Sequence, residues 1–470
     1  MQRKPELAGG HASPSAHDSA LVSIRGLKTY YSIRGSFAQR LIGREAGHVK
    51  AVDDVSLDLG RGEVLGLVGE SGSGKTTLGR TLLGLVPATE GSVVFDGREI
   101  VGLRDRDLRE LRRKMQVVFQ DPHASLNPAM TIEQSVGHPL EIHKIGTSDE
   151  RRRRVAETLD TVGLSPPEQF MVKYPSDLSG GQKQRAVIAR AIILNPVLLV
   201  ADEPVSMLDM SVRAKILELM LELKREFDLT YLYITHDLAT AKFFCDRIAI
   251  MYLGRIVEIG PSRAIYENPR HPYTKALLRA IPEPDPRRKV PRDLPRGEVP
   301  DAARPPLGCS FHPRCGQAFE VCGWETRDLR DLLEQRWAHQ VEEQYEAERA
   351  LFDDISVLDS SAVHARLRTG RGIPGAALAG LLGSIRDENP SEPFWTGVEQ
   401  VATETDAVDI RWREPLSPRA TGVGDVQVEC HLYDDAALEE AARRREEGSP
   451  HTTVGGTGTP TRQGAPEGSA

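Results

Sequence analysis

Gly69-Glu70-Ser71-Gly72-Ser73-Gly74-Lys75-Thr76 fits the pattern GxxxxGK(S/T), and it follows the apolar run at 64–68. A buried strand that meets a glycine-rich turn and then a helix points backbone N–H groups inward, and that concavity accepts phosphate oxygens. Lys75 would supply a point charge for the β- and γ-phosphates. The hydroxyl of Thr76, with Thr77 beside it, stands where a Mg²⁺ ligand belongs. A second group follows in Val197-Leu198-Leu199-Val200-Ala201-Asp202-Glu203, an apolar strand ending in two carboxylates. At the C-terminal edge of a parallel sheet both would lie beside the phosphate loop. Asp202 is then expected to hold Mg²⁺ through water, and Glu203 to polarise an attacking water. The implied chemistry is transfer of a phosphoryl group from ATP to water.

The elements that must position these groups are legible as patterns. Residues 21–31, 49–59 and 92–95 alternate like strands of an antiparallel sheet. From 125 to 195 the period turns helical, with the charged stretch 149–154 opening a helix, while 197–201 and 229–235 look like buried parallel strands. The expected fold is α/β: a P-loop ATPase core at 21–262 with an antiparallel β subdomain and an inserted helical subdomain at about 124–195. Residues 247–259 read as a hairpin about Leu253 and Gly254. Prolines crowd between 281 and 306, as in a linker or an extended segment. Residues 325–427 carry some helix-like acidic and apolar patterning but no assignable chemistry, so the C-terminal extension is expected to be mixed. The Gly/Ser/His/Pro-rich arm at 1–20 and the Gly/Thr/Pro-rich tail at 448–470 are expected to be disordered.

The totals set limits. A chain of 470 residues holds a nucleotide domain and at least one further unit. Its net charge of −8 lacks the basic surplus of nucleic-acid binders, so no nucleic-acid partner is expected. A membrane-spanning helix needs about 18 consecutive apolar residues. The best stretch, 186–201, is broken by Arg190, Asn195 and Pro196, so membrane contact should be peripheral. The first residues lack the apolar core of a secretory signal, which predicts a cytoplasmic chain with its five cysteines outside disulfides.

Leu178-Ser179-Gly180-Gly181-Gln182-Lys183-Gln184-Arg185 resembles the LSGGQ signature of ABC ATPases. Gln120 in Val117-Val118-Phe119-Gln120-Asp121-Pro122, Asp209 after Ser206-Met207-Leu208, and His236 after Tyr233-Ile234-Thr235 complete that family's set in order. The resemblance implies a dimer with two ATP molecules sandwiched between subunits. In it, Ser179, Gly180, Gly181 and Gln182 grip the γ-phosphate bound to the opposite subunit. Gln120 would reach the metal and sense a transmembrane partner, Asp209 organise the dimer contact, and His236 meet the γ-phosphate. Tyr31 would stack on adenine, although Tyr30 is adjacent and an insertion at 32–48 follows. With Glu203 and His236 both present, the site is expected to hydrolyse ATP.

Three further stretches look like the dipeptide/oligopeptide importer ATPases: Gln120-Asp121-Pro122-His123-Ala124-Ser125-Leu126-Asn127-Pro128, His271-Pro272-Tyr273-Thr274-Lys275-Ala276-Leu277-Leu278, and Cys309-Ser310-Phe311-His312-Pro313-Arg314-Cys315. The likeness spans about 21–322 and is greatest to the F-type member of the paired D and F ATPases. It implies two transmembrane permease subunits, a second ABC ATPase in a heterodimer, and an extracytoplasmic peptide-binding protein. This chain would then lie at the cytoplasmic face of the membrane. Related ATPases also serve nickel, opine or sugar-like solutes. ABC ATPases acting on ribosomes or DNA carry two cassettes or a long coiled coil, and this chain has one signature and no heptad run.

Cys309, Cys315 and Cys322 cluster at 263–324, and Cys430, followed by His431, lies beyond an insertion in 325–447. The spacing is not that of paired CxxC zinc ribbons, while four thiolates suit an iron–sulfur cluster or zinc. The resemblance associates this set with a four-iron four-sulfur cluster, and ordinary reduced thiols are the other reading. Cys245, flanked by Phe243 and Phe244, is expected to be a core thiol.

Overall fold

The computed structural model of the chain describes residues 20–33, 47–281, 297–446 and 452–454. The N-terminal arm up to residue 19, most of the insertion at 32–48 and nearly all of the tail lie outside the described residues. The chain divides into two compact units: one holds the residues up to 289 with Asp301–Arg304 and Gly422–Gln427, the other most of the remainder.

The first unit is built on two sheets. Strands β1 (Ala20–Ser32), β2 (His48–Gly60), β4 (Glu90–Phe95) and β5 (Arg98–Glu99) form an antiparallel sheet in the order β2-β1-β4-β5. The second sheet contains β3 (Val64–Val68), β6 (Met115–Val118), β7 (Leu198–Asp202), β8 (Thr230–Thr235), β9 (Arg247–Tyr252) and β10 (Arg255–Pro261), in the order β10-β9-β3-β8-β7-β6. Every residue of β3, β7 and β8 is buried, as expected for parallel strands covered on both faces. Antiparallel β9 and β10 turn through Leu253 and Gly254, both at positive φ, which suits a two-residue hairpin. Beyond β10 the sheet continues into a second hairpin that includes residues 422–427.

Helix α1 (Lys75–Leu82) follows β3. Between β6 and β7 the chain is helical, with α2 (Pro122–Ser125), α3 (Ile132–Ile142), α4 (Ser148–Thr161) and α5 (Gly180–Ile192). Three of these begin on reciprocal caps: Thr131 with Gln134, Thr147 with Glu150, and Ser179 with Gln182. Helix α6 (Met210–Phe227) links β7 to β8, and α7 (Pro272–Arg279) ends the unit's main run. The strand order has a direct consequence. In β3-β8-β7-β6 the C-terminal ends are neighbours, so whatever follows these four strands converges on one edge of the sheet.

The second unit carries a four-stranded sheet in the spatial order β11 (His364–Arg368), β13 (Ala407–Trp412), β12 (Val398–Thr403) and β14 (Thr452–Val454); the first three are antiparallel and β14 runs parallel to β12, so this short piece of the tail expected to be disordered is a strand. The sheet's buried side chains Ala365, Leu367, Val408, Ile410 and Trp412 are joined in the unit's core by Leu378, Leu382 and Ile385 of α9 (Gly375–Glu388). Helix α8 (Thr326–Trp337) turns Leu329 and Leu333 inward. Helix α10 (Asp435–Glu446) buries Ala437 and Ala441 against Val321. Among the described residues no helix is long and apolar enough to cross a membrane.

Candidate nucleotide and cysteine sites

The phosphate loop is shaped by close approach. Gly74 sits at φ 101°, and a Cβ there would lie 1.9 Å from the Ala51 carbonyl oxygen, so only glycine fits. Lys75 folds back over the loop, and its Nζ donates to Gly69 O (2.9 Å), Glu70 O (2.8 Å) and Ser73 Oγ (3.3 Å). Burial lowers its pKa, against the pull of Glu203, Asp202 and Glu70. These acceptors keep an otherwise costly buried ammonium solvated by the protein until phosphate oxygens can replace them. Glycines 69, 72 and 74 together with Glu70, Ser71 and Ser73 form the turn, and Thr76 and Thr77 open α1.

Asp202 ends β7, and its Oδ1 accepts from Thr76 Oγ1 at 3.0 Å. Burial raises its carboxyl pKa. A divalent cation placed at this pair would favour the carboxylate again, because an adjacent positive charge opposes the desolvation cost. Glu203, the next residue, adopts φ 49°, uncommon for a residue with a Cβ. Its N–H bonds to Ile234 O on neighbouring β8 at 2.9 Å, which fixes the turn. Gln120 Nε2, from the end of β6, donates to Glu203 Oε2 at 2.9 Å. His236, from the end of β8, meets Glu203 Oε1 through Nδ1 at 2.9 Å. A carboxylate accepts only, so Nδ1 carries the proton here. Both carboxylate oxygens are thus engaged before any substrate is present.

The remaining predicted residues lie elsewhere in the unit. Ser179 and Gln182 bond to each other at the start of α5, with Gly180 and Gly181 as its first turn. Asp209 caps α6, accepting from Ser211 N (3.1 Å) and Val212 N (3.0 Å). Tyr31 is exposed on β1, whereas the Tyr30 hydroxyl is tied to Asp53. One contact escaped the sequence reading altogether: the phosphate-loop N–H of Glu70 donates to the Tyr273 hydroxyl at 2.9 Å. Its only sequence signal was Tyr273's place in the His-Pro-Tyr segment. Cys245 is a buried core thiol, as expected.

The four clustered cysteines are all buried and outside disulfides, and all belong to the second unit. Burial raises the pKa of the Cys309 thiol well above its ordinary range, and Cys322, Cys430 and Cys315 raise it further. Burial pushes Cys322 up to about 12, with Cys315 and Cys430 adding to the rise. Cys430 therefore lies within electrostatic reach of both. Backbone N–H groups of Gln317 and Phe319 donate to the sulfurs of Cys315 and Cys322, each at 3.4 Å. Gly308, at φ 65°, lets the two cysteine segments meet: a Cβ there would lie 2.6 Å from Cys322 O, and Cys309 N bonds that same oxygen. Arg444 of α10 donates to Glu320 O and Glu414 O, closing the Cys430 side over the loop. Among the described residues, no three His, Cys, Asp or Glu side chains are placed to hold a single metal ion. Zinc, one of the two metals expected from the sequence, requires four ligands about 2.0–2.3 Å from one point, and the geometry does not supply that convergence.

A phosphate loop, a strand-end carboxylate pair and a glutamine and histidine on the flanking strand ends define an ABC-type ATPase cassette. Comparison with known proteins agrees. The family model for ABC transporters matches residues 52–206, and that for the oligopeptide/dipeptide transporter C-terminal region matches 257–322. The chain is 46% identical over 315 residues to a putative peptide import ATP-binding protein of Brucella ovis, covering 67% of this chain and 95% of that protein. It is also 46% identical over 320 residues to the oligopeptide transport ATP-binding protein AppF of Bacillus subtilis, with the same coverages. A dimeric ATP-binding cassette solved with ADP and Pi shares 32% identity over 52% of this chain and 99% of that one, at a TM-score of 0.46. The chain belongs to the family of ABC transporter ATP-binding proteins of the peptide-import type.

Proposed function

We propose that this chain hydrolyses ATP to energise the uptake of di- and oligopeptides. The observation that carries the ATPase assignment is the Glu203 carboxylate held between Gln120 and His236, beside the Thr76–Asp202 pair. In this reading Lys75 would exchange its loop carbonyls for the β- and γ-phosphate oxygens, and Thr76, Asp202 and Gln120 would hold Mg²⁺. The cation would neutralise charge on the phosphates. Glu203 orients the attacking water once Gln120 or His236 releases one of its oxygens, and His236 then serves the γ-phosphate. Tyr31 is exposed and available to adenine. Ser179, Gly180, Gly181 and Gln182 would act on the nucleotide of a second cassette, with Asp209 at the dimer contact.

The peptide assignment rests on the segment 257–322 and on the printed functions of the relatives. It implies two transmembrane permease subunits, a second ABC ATPase in a heterodimer, an extracytoplasmic peptide-binding protein and a place at the cytoplasmic face of the membrane. Co-purification with the permease subunits in lipid, followed by ATPase assay, tests this. Stimulation by a peptide-loaded binding protein is expected. Stimulation by a nickel-loaded binding protein and not by the peptide-loaded one would overturn it.

For the cysteine pocket we infer a four-iron four-sulfur cluster held by Cys309, Cys315, Cys322 and Cys430. A cluster in which each iron takes one thiolate spaces its ligands around a cube, so it does not need the tight convergence of a single ion. Cys309 lies within electrostatic reach of the other three thiols and Cys322 of Cys315 and Cys430, and backbone N–H groups aimed at the sulfurs of Cys315 and Cys322 support the fit.

A further inference from the structure

The Gly69–Glu70 peptide of the phosphate loop is held from both sides. Its carbonyl oxygen accepts from Lys75 Nζ, and its N–H donates to the Tyr273 hydroxyl, each at 2.9 Å. Tyr273 is fully buried at the second position of α7, and its ring packs on Tyr252 with centroids 4.7 Å apart. Tyr252 ends β9, the strand beside β3, which feeds the loop. The start of α7 is itself fixed. His271 Nδ1 accepts from Tyr273 N at 3.0 Å, while the buried Glu258 carboxylate on β10 accepts from Arg270 N (2.7 Å) and His271 N (3.0 Å). The same hairpin reaches the loop a second time, through Gly254 N to Ser73 O at 2.9 Å.

We propose that Tyr273 is a positioning residue for ATP binding, through which the C-terminal peptide-importer segment holds the phosphate loop open. A peptide group has one N–H and one carbonyl on opposite sides, so fixing both sets its orientation. With the hydroxyl present, Gly69 O stays turned toward Lys75 and the loop is already shaped when nucleotide arrives. Without it, the half-buried Glu70 N–H loses this acceptor, the peptide reorients, and ordering the loop opposes ATP binding. The Tyr273 hydroxyl bonds the loop and not Glu203, Gln120 or His236, so the effect falls on binding and not on the hydrolytic step.

Tyr273→Phe in the full-length chain keeps the ring against Tyr252 and removes only the hydroxyl. The expected result is a KM for MgATP raised roughly three- to tenfold with kcat unchanged, from loss of the half-buried hydrogen bond to the Glu70 N–H. A parental KM, or a lowered kcat at parental KM, overturns the proposal. Hydrogen exchange of the unmodified, nucleotide-free chain provides a test independent of the variant's folding. The Glu70 amide should be protected, and exchange at the rate of an exposed amide would equally overturn the proposal.

Discussion

The nucleotide site and the cysteine pocket both gather reactive side chains, but burial acts on them in different settings. In the nucleotide site each charge meets a polar partner: buried Lys75 has three oxygen acceptors, buried Asp202 a hydroxyl, and half-buried Glu203 an amide and an imidazole. In the cysteine pocket burial and neighbouring thiols all push Cys309 and Cys322 toward their neutral forms. The first arrangement can hold its charges without ligand. The second becomes favourable for thiolates only when positive charge is supplied at its centre. A site poised to exchange partners suits a repeated reaction, whereas the buried thiols rest neutral and would hold a fixed cofactor only where one supplies that charge.

The largest expected effect breaks the nucleotide half of this contrast. Glu203→Gln keeps the size of the side chain and one carbonyl acceptor but cannot take a proton from water. MgATP binding should persist, while single-turnover hydrolysis falls roughly 10²- to 10⁴-fold, the range for a lost general base. Hydrolysis near the parental rate would remove Glu203 from that role and make its bonds to Gln120 and His236 purely structural.

The cysteine half is sharpened by composition. Protein purified without oxygen should contain iron and acid-labile sulfide in about equal amounts, on the order of four of each per chain, and Cys430→Ser should lose most of both. Protein lacking iron, sulfide and zinc would leave the four thiols as packing. A chain that holds iron fully after Cys430→Ser would exclude that residue as a ligand. All four tryptophans, Trp324, Trp337, Trp395 and Trp412, lie in this unit, so their fluorescence follows its unfolding with and without the group.

The two sites differed as much in how far they could be read from sequence. Phosphate loop, signature, strand-end acids and histidine are contiguous motifs, each tied to a strand or helix whose period is visible, and parallel strand order then brings their ends together. The Glu70–Tyr273 bond was invisible because it joins residues 203 apart, and no periodicity encodes which buried hydroxyl meets which amide. The small sheet of the second unit was missed for another reason. In β11, His-Ala-Arg-Leu-Arg has only two inward apolar side chains, and β13 interleaves Asp409 and Arg411, too short a pattern to stand out from acidic helix-like surroundings. Cys430 could be grouped with the other cysteines only through family likeness, since the intervening fold decides that proximity.

The smallest predicted effect returns to the first unit, to a buried titratable group that the fold holds neutral. His271 is fully buried and caps α7 by accepting the Tyr273 N–H at Nδ1, a bond that needs the neutral ring. Burial, then Lys275, lowers its pKa to about 3 from the ordinary 6.5. The unfolded chain therefore binds a proton that the folded chain refuses between these values, and stability falls as pH drops through that window. By pH 5 the loss from this group, relative to pH well above 6.5, is about 2 kcal/mol, as the slope approaches about 1.4 kcal/mol per pH unit. Calorimetry of the full chain, with the first unit's transition marked by its shift on adding MgATP, measures it. His271→Asn retains a capping oxygen and cannot titrate, so its acid-side decline should be shallower than the parent's by that amount. Parallel pH profiles for the two proteins would show that the ring is already proton-accessible and that its cap on α7 sets no pH dependence.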